Sequence, residues 1–269
     1  MSARSKRRRS SFEVEALSER GLTEKQQRIL FAVGTVIAVL VGGFGLTAIV
    51  STLGVSQPPA EQGTQADSIG LLHPDEYQAW VSPKLFTPIA DRRADAAPLR
   101  AEEVFGVKTL TSGKLTLRLA ARRLDGACAP VMWGGDVLAK LAGAGCTQAV
   151  RGLYLSADRR YVAQYTLFNM ASSKAADAFV QEMATLYRGG GWVRPLESKA
   201  ASFVPDGYTE ASGHAMGHYA GFVWVGRADG QEPAPKDDFV SLILGVRGAE
   251  KAIYRRVAAV TGPSAPPAK

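Results

Sequence analysis

The chain has 269 residues, 46% of them hydrophobic, with 32 Lys and Arg against 25 Asp and Glu. A chain of this length and apolar content can bury a core. Two cysteines and three histidines exclude a four-cysteine zinc site and a dense disulfide framework, and leave little for a histidine-based metalloenzyme.

The net charge of +7 is unevenly placed. Residues 1–28 carry Arg4, Lys6, Arg7, Arg8, Arg9, Arg20, Lys25 and Arg28 against Glu13, Glu15, Glu19 and Glu24, so this tail is +4 and the rest of the chain only +3. Residues 29–55 follow, 27 positions without a charge. As a helix they would reach about 40 Å, enough to cross a hydrocarbon core of about 30 Å with tilt. A cleaved signal peptide has a shorter apolar region and a small-residue cleavage site; neither fits here, and the segment reads as an uncleaved signal anchor. The basic flank then places the N-terminus in the cytoplasm and the body outside, in the plasma membrane. Arg7, Arg8 and Arg9 are the candidate contacts with anionic lipid, and Arg7-Arg8-Arg9-Ser10-Ser11 resembles a basophilic kinase site. Gly34, Ala38 and Gly42 form a small-residue ladder that suits helix pairing, either with an envelope protein or with a second copy. The tail lacks a folded reader and interleaved aromatics, so nucleic acid is not an expected partner.

Residues 56–100 read as a polar stalk followed by a proline-interrupted strap carrying Tyr77, Trp80, Leu85 and Phe86. The domain proper is expected over 101–262 and a disordered end over 263–269. Within the domain, residues 114–122 alternate as a strand, with Leu115, Leu117 and Leu119 on one face. Val137, Leu138 and Leu141 space a helix between the glycines at 134 and 145. Residues 149–155 and 161–170 read as two strands joined by a hairpin turn, and Ser172 or Ser173 can cap the helix that follows, to about Tyr187. After a loop, 218–227 and Phe239–Val246 read as strands, and 249–260 as a last amphipathic helix. The order β-α-β-β-α-β-β-α predicts an α+β fold: a transmembrane helix followed by an extracytoplasmic antiparallel or mixed sheet with helices packed on one face. Two rough ββα units raise the question of an internal duplication.

Cys128 and Cys146 both fall on the outer side, where disulfides persist, and are expected to pair. Gly106 to Leu115 fails the phosphate-loop spacing, Gly189-Gly190-Gly191 follows a helix rather than a strand, and no nucleophile elbow is present. His214 and His218 are the one histidine pair, weak candidates for a metal because neither a helix nor a strand of this composition brings them to one ion. No catalytic residue and no cofactor is implied. Trp133, Trp192, Tyr208, Tyr219, Phe222 and Trp224 suit a sheet face or a ligand groove.

The Ala/Arg-rich character, the basic tail, single span and stalk, and the body run Ala144-Gly145-Cys146-Thr147-Gln148-Ala149-Val150-Arg151-Gly152-Leu153-Tyr154 resemble an uncharacterised group of actinobacterial single-pass membrane proteins. The resemblance covers layout and implies residence in the cell envelope; it carries over no catalytic residue. The expected function is a single-pass envelope protein whose outer domain binds a ligand or partner without catalysis. The alternatives are a structural subunit of a membrane complex, or a metal-dependent envelope enzyme.

Overall fold

The computed structural model describes residues 72–262. The basic tail with Arg7, Arg8 and Arg9, the uncharged segment 29–55 and the end 263–269 lie outside the described residues. Among the described residues no helix is long and apolar enough to cross a membrane.

The alternating stretches in the middle of the chain build the centre of a sheet. β5 (Gln148–Ser156) and β6 (Tyr161–Asn169) form an antiparallel hairpin. Its turn is held by Ser156, whose hydroxyl donates to Asp158 at 2.6 Å and accepts from the Tyr161 amide at 2.9 Å. β3 (Leu115–Asp125) pairs with β5, with a bulge between Leu119 and Ala121, and β2 (Thr109–Ser112) closes that edge. On the other side β6 pairs with β9 (Tyr219–Arg227), β9 with β8 (Thr209–Met216), and β8 in parallel with β1 (Glu76–Trp80). The order across the sheet is β1-β8-β9-β6-β5-β3-β2. A separate two-stranded ribbon joins β4 (Met132–Trp133) to β7 (Trp192–Val193).

Three expectations are corrected. Phe239–Val246 is a helix, not a strand. The stretch before His218, read as a loop, contains β8. The helices cover both faces of the sheet rather than one. On one face α2 (Gly135–Gly143) and α3 (Ser173–Leu186) pack with the β4–β7 ribbon over Ala149, Leu153, Val162, Phe168 and Phe222. On the other, α1 (Ala101–Phe105), α4 (Phe239–Val246), α5 (Lys251–Thr261) and the 3-10 segment Lys84–Ile89 pack over Val150, Tyr154, Tyr165, Leu167 and Val223. The cause lies in β6, buried at every position. A strand buried on both sides needs a layer on both sides. With Phe239–Val246 a helix, the second ββα unit as read does not form, and the helices that follow the two halves lie on opposite faces of the sheet, so the halves are not copies of one arrangement.

Local chemistry sets the helix starts. Ser172 accepts from the Ala175 amide and caps α3; Asp238 accepts from the Ser241 amide and caps α4. Gly134, ahead of α2, has φ +93°, and a Cβ there would stand 2.1 Å from the Gly190 carbonyl oxygen.

The Cys128–Cys146 disulfide is formed, with Cα atoms 6.1 Å apart. It ties the 3-10 turn Ala129–Val131 to the chain leaving α2. Replacing both cysteines by alanine is expected to lower stability by about 3 kcal/mol through the looser unfolded chain. In urea unfolding, reductant should bring the wild-type midpoint down to that of the double variant and leave the variant unmoved. A midpoint common to all forms would show that the bridge adds nothing.

Candidate functional site

The structure does not bring His214 and His218 to one point. His214 lies on β8 with Nε2 2.9 Å from the Ser212 hydroxyl, and the ring stacks on Trp80 at 6.4 Å between centroids. Burial, with the Arg247 charge added, pushes it down to about 3, so it is neutral at physiological pH. His218 sits in the β8–β9 turn, fully buried, with its nitrogens facing Asn169 Oδ1 at 3.1 Å and Asp95 Oδ2 at 3.4 Å. Among the described residues no group of three or more His, Cys, Asp or Glu side chains could hold a metal ion.

His218 belongs to a buried polar network centred on Arg256 of α5. Arg256 Nη1 donates to Asp95 Oδ1 (3.0 Å), to the Tyr219 hydroxyl (2.9 Å) and to the Ala97 carbonyl (2.7 Å). Its Nε and Nη2 each reach a Glu103 carboxylate oxygen at 2.6 Å. Tyr219 in turn donates to Asp95 Oδ2 at 2.7 Å. Burial alone would raise the Asp95 carboxyl; the bonds from His218 and Tyr219 and the Arg256 charge outweigh it and hold the group below its ordinary value. Asp95, Tyr219, His218 and Arg256 are all less than a tenth exposed. The network fastens the strap before α1 to α5 and the β8–β9 turn.

Beside this network opens a cleft of about 490 Å3 between α1, β2, the end of α4 and the start of α5, within the range of ligand sites. Small and apolar residues make its floor: Val104, Leu110, Gly245, Gly248, Ala249 and Ala252. A Cβ on Gly248 would press to 3.2 Å on the Leu110 side chain at this floor. The rim carries Arg100, Lys251 and Arg255 with Glu102 and Glu103. The two carboxylates are engaged elsewhere, Glu102 by Arg122 at 2.9 Å and Glu103 by Arg256. Arg255 donates to the Glu103 carbonyl at 2.9 Å. Among the described residues, Arg100, Lys251 and Arg255 have no carboxylate in ion-pair reach. The cleft therefore presents positive charge above an apolar floor.

Of the six aromatics expected on a sheet face or groove, Trp133, Trp192, Tyr219, Phe222 and Trp224 are buried core and only Tyr208 is partly exposed. None of them lines the cleft. Sequence reading missed Arg100, Lys251 and Arg255 because nothing in their spacing joins them; they meet only when α1 packs beside α5. No family model, no curated protein and no solved structure matches this chain.

Proposed function

We propose that this chain is a single-pass protein of the cell envelope whose outer domain is a non-enzymatic binding module, taking an acidic segment of an envelope partner in the α1–β2–α5 cleft. The cleft carries this reading: three cations that have no carboxylate partner among the described residues stand over an apolar floor, a combination suited to a carboxylate flanked by apolar groups. Three features support the location. The basic tail precedes an uncharged stretch of membrane-spanning length, the positive-inside rule orients it, and the Cys128–Cys146 bridge suits an oxidising compartment. Positive charge on the cleft would steer an acidic partner and set its orientation more than its raw affinity.

A photo-crosslinking residue in place of Val107, which is exposed on the cleft wall, tests this in intact cells. A discrete adduct is expected. It should be absent when the crosslinker replaces Lys174 on the far side of the sheet, and lost on Arg100→Glu with Arg255→Glu. Recovery of the same species from both positions, or an adduct indifferent to the charge reversal, would refute the binding role of the cleft.

A further inference from the structure

α4 has the sequence FVSLILGV, with one polar side chain in eight positions. A water-facing helix of a globular body keeps a polar outer stripe; α4 does not. Phe239, Leu242 and Val246 face the core, yet Val240 is 69% and Leu244 54% exposed. These two are one turn apart and share a stripe, and Arg247 follows on the same side. α4 packs against β8, and on the ring of His214 of β8 lies Trp80 at an interplanar angle of 2°. Trp80 is itself 55% exposed and is followed by the exposed Val81 and Leu85. Next to Leu85, Phe86 meets the ring of Tyr254 at 5.1 Å, and Tyr254 is also exposed. Trp80, Val81, Leu85, Leu244 and Tyr254 thus stand exposed on the side of the sheet that carries α4, α5 and the 3-10 segment. Scattered single apolar residues are ordinary, but exposed aromatic and aliphatic side chains gathered on one side of a body mark a contact surface.

We propose that this face docks on an anionic lipid bilayer. Two observations choose lipid over a protein as the occupant. The first is charge. Lys84 and Lys251 are exposed beside the cluster, and among the described residues neither has a carboxylate in ion-pair reach. Glu250 is buried and held by Arg247, and Asp177 accepts from the Ser82 amide. Trp and Tyr among apolar side chains with a lysine rim is the composition that settles at the headgroup boundary. The second is tether length. Only residues 56–71 separate the uncharged segment 29–55 from the first described residue, a reach of about 55 Å at full extension. A body held this close meets the surface at high effective concentration, so a modest patch suffices. This inference rests on the proposed span at 29–55.

Tryptophan fluorescence of the full-length chain in phosphatidylglycerol/phosphatidylcholine vesicles tests it. No tryptophan precedes Trp80 in the sequence, and Trp133, Trp192 and Trp224 are no more than 2% exposed. Lipids with brominated acyl chains should therefore quench the Trp80 share of the emission alone. Trp80→Phe should remove the quenched component. Leu244→Asp should abolish quenching without releasing the chain from the vesicles in alkaline carbonate. Equal emission in plain and brominated vesicles, from a chain that resists carbonate, would overturn the docking and leave the anchor standing. Release by carbonate with quenching retained would refute the anchor and uphold the docking.

Discussion

Arg256→Met is expected to destabilise the outer body by about 3–5 kcal/mol, the range for breaking a buried ion pair from one side. Methionine keeps most of the volume and removes the charge. It leaves the Asp95 carboxylate buried with only Tyr219 and His218 beside it, and frees the carbonyls of Ala97 and Pro98. Five acceptor groups on three segments, the strap, α1 and β9, lose one donor, so the strap before α1 should loosen with it. Urea unfolding of both forms gives the size of the loss. Its pH dependence identifies the cause. The folded Asp95 carboxyl lies below its ordinary 3.8, so its contribution is complete above that value and is lost as the pH falls through the lower folded one. The gap between wild type and variant should therefore narrow on acidification, and Asp95→Asn placed on Arg256→Met should recover part of it. A loss of under about 0.5 kcal/mol, the scale of an ordinary surface substitution, or a gap that widens in acid, would show that the network does not hold the strap.

Much of the sheet was legible where local pattern and tertiary role agree. The β5–β6 hairpin, α2 and α3 follow from alternation, helical spacing and the Ser172 cap, because each element's pattern is also its packing pattern. The failures have separate physical causes. FVSLILGV has no clean period, and a short apolar run of eight residues fits a buried strand as well as a helix. The available signal was Asp238, three residues before Ser241, an N-cap spacing whose bond the structure contains. β8 escaped notice because small residues weaken its strand pattern. The reason for one of them lies elsewhere in the chain: a Cβ on Gly213 would stand 2.0 Å from the Tyr77 hydroxyl. Tyr77 belongs to β1, which was read as a strap. Neither strand could be seen without the other. The cleft was illegible for the same reason, since its cations come from elements distant in sequence.

The contrast between Phe222 and Leu244 separates residues that hold the body together from those that face outward. Phe222 is 1% exposed and lies among four aromatic rings, T-shaped to Phe168, Phe179 and Trp192 at 5.8 Å and stacked with Tyr77 at 6.3 Å. Phe222→Ala removes a ring from a site bounded by α3, β1, β6 and β7, where rigid neighbours on every side restrict collapse. A loss of about 3–5 kcal/mol is expected, a large part of the whole stability of a body of this size. Leu244→Ser, on a side chain 54% exposed, should change stability by no more than about 0.5 kcal/mol. Both are read from urea midpoints of the full chain in detergent, and a common slope would confirm that the same body unfolds. Comparable losses from the two would mean that Leu244 packs as core. Should Leu244→Ser prove neutral while Leu244→Asp abolishes lipid quenching, the apolar outer stripe of α4 serves contact rather than folding. That separation explains how a helix can carry leucine and valine on both sides: one stripe is required by the sheet beneath it, and the other by the surface it meets.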